Sequence, residues 1–162
     1  MTEIGDDAMN DYTIRPVRAE DRGAVEALLR RAELPPDGLD EQFGEAYAVA
    51  ESDGRIVGAA GVEVYGGAGL LRSVAVDGEW RGRGLGGALT RERLAWAELR
   101  GLDAVYLLTN TAAGYFPKLG FEPVAREKVP EAVRGSLQFS SVCCSSAAVM
   151  VLRLEAVPCA TP

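Results

Sequence analysis

The stretch LLRSVAVDGEWRGRGLGGALTRERLAWAELR, residues 70–100, decides how the rest of the chain is read. It begins as a short apolar strand, passes through a tight glycine-rich loop and continues as a helix of about four turns. In the loop, Gly82, Gly84 and Gly86 bring backbone close where side chains would obstruct a ligand. They lie where the helix begins, so several amide N–H groups lack an intrahelical partner and point outward. The helix dipole favours negative charge there, and Arg81 and Arg83 add positive charge to the same turn. The loop reads as an anion cradle.

Upstream of it the pattern is antiparallel. Residues 12–17 suggest a first strand, and residues from about 19–21 to 32 a helix with Val25, Leu28, Leu29 and Ala32 on one face. The Leu34–Gly38 segment breaks that helix, and a short helical or irregular piece is expected at 39–43. Residues 46–51 and 55–65 alternate as strands around an Asp53-Gly54 turn, and 66–69 turn the chain into the strand at 70–76. Downstream the order changes to βαβ, with a strand at 104–108. A short helix at 111–119, a strand at 121–127, a helical connection at 129–137 and a closing strand at 146–154 follow.

Composition sets the outer bounds. The chain has 162 residues, 48% of them apolar, and a net charge of -7, which argues against nucleic acid and anionic membrane as partners. Residues 1–11 read as a flexible leader without an export pattern, 12–154 as one domain and 155–162 as a tail. No run is long and apolar enough to span a bilayer, and three cysteines form no disulfide framework, so a cytoplasmic location is expected. Histidine is absent, which removes imidazole bases, His-based triads and His-ligated metal. No metal is expected.

Read literally, Gly82-x-Gly84-x-x-Gly87 satisfies a dinucleotide fingerprint, but that motif belongs after the first strand of repeated βαβ units. Here three antiparallel strands come first. The better description is R-x-x-G-x-G, from Arg81, Gly84 and Gly86, following a strand that ends Val74-Ala75-Val76. This resembles the acetyl-CoA pyrophosphate loop of the GNAT acyltransferase superfamily. The YLLT run from Tyr106 and the YFPKLGF run from Tyr115 are similar to that family's closing motif. The chain further resembles GNAT proteins found with arsenic-resistance genes, chiefly through the downstream segment VPEAVRGSLQFSSVCCSSAAVM.

The resemblance implies a mixed, splayed sheet flanked by helices, an α+β fold, with acetyl-CoA as acyl donor and a small-molecule amine as acceptor. It places the pantetheine arm beside Val74, Ala75 and Val76, and the pyrophosphate on Arg81, Gly82, Arg83, Gly84, Leu85 and Gly86, with Asn110 also on the cofactor side. It links the chain to arsenic or toxic-compound resistance, and makes a homodimer through late strands one expected state.

The acceptor side is less determined. Family members often carry a tyrosine four residues before the Gly-Phe pair; here that position is Phe116, with Tyr115 beside it. Tyr115 is therefore either a general acid through a shifted helix or a core residue with its hydroxyl at the surface. Glu63, inside an apolar strand, is a candidate base or else a cross-strand partner of Arg72. Arg72 and Ser73 interrupt the strand nearest the reacting carbonyl. Strict alternation puts Arg72 on the face of Leu70, Val74 and Val76. Arg72 could bind a substrate carboxylate or similar oxyanion, or be neutralised by Glu63. Cys143 and Cys144 suit burial better than metal chelation. A second reading of the whole is a non-catalytic acetyl-CoA-binding or arsenic-responsive module.

Overall fold

Branched and small residues alternate with turn-forming pairs from residue 47 onward, and they fold as an antiparallel meander. The computed structural model describes residues 12–32, 43–109, 116–134 and 148–154. Strands β1 (Thr13–Pro16), β2 (Tyr47–Ser52), β3 (Arg55–Tyr65) and β4 (Ala68–Val76) pair consecutively and antiparallel. Asp53 and Gly54 both have positive φ, +52° and +76°, the geometry a two-residue hairpin requires.

Helix α1 (Arg22–Arg31) buries Val25, Leu28 and Leu29. Helix α2 (Leu85–Leu99) connects β4 to β5 (Ala104–Thr109), which lies parallel to β4. A 3-10 turn at Phe116–Leu119, β6 (Glu122–Pro123), α3 (Glu131–Arg134) and β7 (Ala148–Arg153) complete the described elements. The seven described strands run β1-β2-β3-β4-β5-β7-β6, so the expected mixed sheet with flanking helices is the observed fold.

The two faces of the sheet are covered separately. Val25, Leu28 and Leu29 of α1 pack with Tyr47, Val49, Ala59 and Ala75. On the other face, Leu85 and Leu89 of α2 meet Ala50, Val57 and Ala60, while Leu94 and Ala97 meet Val62, Leu71 and Leu107. Burying leucines of this kind contributes about 1.5–3 kcal/mol each. Gly58 allows the close approach of α2: a Cβ there would lie 2.8 Å from Leu89 Cδ1.

Three expectations change in detail. The strand before the glycine loop starts at Ala68, leaving a turn of Gly66 and Gly67. The strand expected at 121–127 is a strand only over Glu122–Pro123, with one more ladder bond from Val124 N–H to Val149 O at 3.0 Å before the chain leaves β7. The helical connection shortens in its described part to Glu131–Arg134, with Val133 buried. The 39–42 part of the irregular piece, Asn110, Tyr115, Cys143, Cys144 and the start of the closing strand lie outside the described residues, as do residues 1–11 and 155–162. No described helix is long and apolar enough to cross a membrane.

Candidate functional site

The sheet opens where β4 and β5 part. Their parallel pairing runs from Ala68↔Ala104 to Leu71↔Leu107 and goes no further among the described residues. Beyond it β5 stays with β7 through Leu108↔Val149 and Thr109↔Ala148. β4 stays with β3 through Ala75↔Ala59 and Val76↔Gly58. Each strand leaves with its other neighbour, and the backbone edge of Val74–Val76 faces the gap.

A bulge in β4 lies at the point of parting. Arg72 is paired with Gly61 and Ala75 with Ala59, so β4 carries one residue more than β3 across this interval. Ser73 sits in the left-handed region at φ +61°, one of two described non-glycine residues with positive φ. The bulge also corrects the alternation expected from the sequence. Arg72 lies on the face of Leu70, but the extra residue turns Val74 and Val76 to the α2 side. There Val74 packs near Leu71 and Leu85, and Val76 near Leu85 and Leu89. Ala75 is the residue that meets α1.

Beneath the bulge lies a buried polar cluster. Glu63 and Arg72 are 2% and 5% exposed, and Arg72 Nη1 donates to Glu63 Oε2 at 3.3 Å. Tyr47 donates its hydroxyl to the same oxygen at 2.8 Å, Tyr65 donates to Oε1 at 2.7 Å, and Arg72 Nε donates to Ser73 Oγ at 2.9 Å. Burial pushes the Tyr47 hydroxyl well above the ordinary phenol range, and the neighbouring carboxylate adds to this. Tyr47 is therefore a fixed donor and not a titrating group near neutral pH. Tyr47 carried no signal in the sequence beyond its place in a strand. Its mark is Gly61, where a Cβ would come within 2.4 Å of the tyrosine ring.

After β4 the chain is tied down before it reaches the glycine loop. Asp77 N–H donates to Val57 O at 2.8 Å, and its side chain accepts from Glu79 N–H at 3.0 Å. Arg31 and Arg55 approach Asp77 Oδ2 at 3.5 and 3.7 Å, fixing the loop's entry to α1 and β3. Gly82 and Gly84 have φ of +80° and +83°, which favours glycine at both positions. The first α2 hydrogen bond runs from Ala88 N–H to Gly84 O at 3.0 Å, leaving the amides of Leu85, Gly86 and Gly87 without helical acceptors. Gly86, expected at the end of the loop where the helix begins, lies within the first turn of the helix.

Arg81 and Arg83 are exposed beside these amides. Arg81 Nε donates to Val76 O at 3.3 Å, and Arg83 stacks over Trp80 at 4.8 Å from its ring centroid. Trp80 in turn meets the edge of Tyr12 at 5.8 Å. Nothing in the residues around Trp80 singled it out beforehand, because its partner Tyr12 lies far away along the chain. A cavity of about 420 Å³ opens beside the loop, lined by Leu28, Arg31, Val76, Asp77, Glu79 and Arg81 among others.

The loop fits a pyrophosphate-bearing cofactor on its own geometry. A Cβ built at Gly82 or Gly84 meets nothing within 4 Å, so the loop's outer side is open space faced by amides and two guanidinium groups. Among the described residues no group of three His, Cys, Asp or Glu could hold a metal ion.

Comparison with known proteins bears on what this arrangement does. The acetyltransferase (GNAT) domain family matches residues 43–123, which include β2 through β5 and the glycine loop. The amino-acid acetyltransferase of Azotobacter vinelandii is 32% identical over 133 residues, covering 76% of this chain and 30% of that protein. The N-acetylglutamate synthase of Neisseria gonorrhoeae, solved with coenzyme A and N-acetyl-glutamate, superposes with a TM-score of 0.77 at 20% identity. That match covers 89% of this chain and 35% of the synthase. Rv2747 of Mycobacterium tuberculosis, solved in complex with CoA, has a TM-score of 0.71 at 26% identity, covering 88% of this chain and 99% of its own. The chain thus spans about a third of the Azotobacter and Neisseria proteins, and nearly the whole of the mycobacterial one.

Proposed function

The chain belongs to the GNAT acetyltransferase family, and on that premise we propose that it is an acetyl-CoA-dependent N-acetyltransferase that acetylates the amine of a small molecule by direct transfer. The observation that carries the reading is the β4–β5 opening, which sets the edge of Val74–Val76 against the glycine loop. Acetyl-CoA held there supplies the acyl group as an activated thioester.

The residues of the chain do the rest. The amides at Arg83–Gly86, with Arg81 and Arg83, hold the pyrophosphate, and they offer a local positive site on a chain of net charge -7. The edge of Val74–Val76 holds the pantetheine arm by strand-like hydrogen bonds, with the Val76 amide donating to the carbonyl oxygen. Asn110 lies on the cofactor side of this proposal, and Tyr115 serves as proton donor to the departing sulfur. Tyr115→Phe then lowers turnover and flattens the alkaline limb of the pH profile; an unchanged rate and profile would remove Tyr115 from the mechanism.

The acceptor we infer is an amine carrying an acidic group, as in an amino acid. The support is the similarity to proteins named as amino-acid acetyltransferases and an N-acetylglutamate synthase. A link to arsenic resistance is part of the same proposal, supported by the sequence resemblance over residues 129–150. The test is release of free CoA thiol across a panel of amino acids and other small amines, with acetylated products identified by mass. Thiol release that depends on one amine class is expected. CoA binding without acceptor-dependent thiol release would instead make the chain a binding module.

A further inference from the structure

We propose that the buried Tyr47–Glu63–Arg72–Ser73 cluster is the lock that holds the β4 bulge, and that Glu63 is a positioning residue for the cofactor strand. The inference rests on the reading of Val74–Val76 as the strand that binds acetyl-CoA.

The backbone of β4 sets the requirement. A left-handed conformation disfavours a residue with a side chain by roughly 5- to 30-fold relative to extended backbone, and Ser73 adopts it at φ +61° inside a strand. Without it, β4 would continue in the register set by Arg72↔Gly61, bringing Val74 opposite Ala59, where Ala75 now stands. The three residues after the bulge would then exchange faces, and their edge would no longer meet the gap in the observed way. Something must therefore hold Ser73 where it is.

The cluster does this directly. Arg72 Nε donates to the hydroxyl of Ser73, the residue with positive φ, at 2.9 Å. Arg72 is itself held by Glu63 at 3.3 Å from the neighbouring strand. Glu63 is fixed on both oxygens by the hydroxyls of Tyr47 and Tyr65, at 2.8 and 2.7 Å. Tyr47 can lie under the bulge only because its neighbour is Gly61, the residue paired with Arg72. A buried ion pair adds little net stability, and fixing register is its best-attested use. Glu63 is 2% exposed with both oxygens engaged, an arrangement suited to holding Arg72 and unsuited to taking a proton from a substrate.

The lock and a general base predict different kinetics. If Glu63→Gln releases Arg72, the bulged form becomes a smaller fraction of the free protein, and apparent affinity falls by that fraction. Saturating cofactor restores the bulged form. So KM for acetyl-CoA rises about tenfold while kcat falls less than about threefold. Adding Ser73→Gly removes the cost of positive φ at this position and should recover most of the lost affinity. A base could not be rescued that way.

The experiment is calorimetric titration of CoA into wild type, Glu63→Gln, Glu63→Gln/Ser73→Gly and Tyr47→Phe, with steady-state kinetics alongside. The expected result is a Kd about ten times weaker for Glu63→Gln and near-wild-type affinity for the double variant. Wild type that binds no CoA would overturn the cofactor reading itself. Wild type that binds, with Glu63→Gln within about twofold of it, would overturn the lock alone. Loss of kcat at unchanged KM, not recovered by Ser73→Gly, would overturn it in favour of a base. Should Glu63→Gln lose its cooperative melt, Tyr47→Phe decides: CoA binding about threefold weaker is expected, and unchanged affinity refutes the lock.

Discussion

Replacing Gly61 by alanine tests the packing beneath the site with one methyl group. The added Cβ would lie 2.4, 2.5 and 2.8 Å from Cε2, Cδ2 and Cζ of Tyr47. Tyr47 is 1% exposed and packs among Val25, Leu28 and Val49, so the ring has nowhere open to swing. Overpacking of this kind costs about 1–3 kcal/mol. Displacing the ring also loosens its hydroxyl from the Glu63 carboxylate, a charge-assisted bond whose loss costs about 1.5–3 kcal/mol. The two costs together give an expected destabilisation of about 2.5–6 kcal/mol, a large share of the ~5–15 kcal/mol by which a domain is stable.

Urea denaturation gives the value, with Gly78→Ala as the control because a Cβ there meets nothing within 4 Å. The control should stay within about 0.5 kcal/mol of wild type. Combining Gly61→Ala with Tyr47→Leu removes the ring the methyl group strikes, so the two costs should fall short of additivity by about 1–3 kcal/mol. A loss below ~1 kcal/mol for Gly61→Ala, or full additivity with Tyr47→Leu, would refute the tight contact between Gly61 and the tyrosine ring.

Two further predictions concern stability away from the cofactor. Arg15 donates to both oxygens of Asp21, at 2.8 and 3.2 Å, and holds its carboxyl below the ordinary carboxylate range. A depressed pKa stabilises the fold above the unfolded value and is lost as pH falls through the folded one. Thermal melts of wild type should therefore drop on acidification below about pH 4, and the gap to Asp21→Asn should close over the same range; a gap that stays constant from about pH 6 to about pH 2.5 contradicts this. Gly23 lies exposed in α1, and a methyl group placed there would meet nothing within 4 Å, so Gly23→Ala should raise stability by about 0.5–1 kcal/mol in urea melts.

Much of the architecture was legible because its signals are local. The Asp53-Gly54 turn, the apolar runs around it and the glycine loop before α2 each carry their own chemistry in adjacent residues. The bulge was not legible, because Ser73 takes a conformation that composition would assign to glycine. What holds it there comes from Glu63 and Tyr47 on other strands. That one extra residue reversed the facing of Val74 and Val76 relative to strict alternation. The Glu63–Arg72 pair was visible as one of two readings, since opposite charges on neighbouring strands are natural partners, and the structure brings them together. Its connection to Tyr47 required knowing that Tyr47 lies beside Gly61 across the sheet.

On the proposed function, the loop from Arg81 to Gly86 and the edge of Val74–Val76 form one coenzyme A site. Calorimetric titration of coenzyme A into the wild-type chain and into Gly84→Glu tests it most directly. Gly84 has φ +83° and faces open space, so a glutamate there adds backbone strain and puts a carboxylate where the pyrophosphate would rest. Wild type should bind saturably at one coenzyme A per chain, and binding should be lost in a variant that still melts cooperatively. No binding to wild type, or equal binding by both, would contradict the claim.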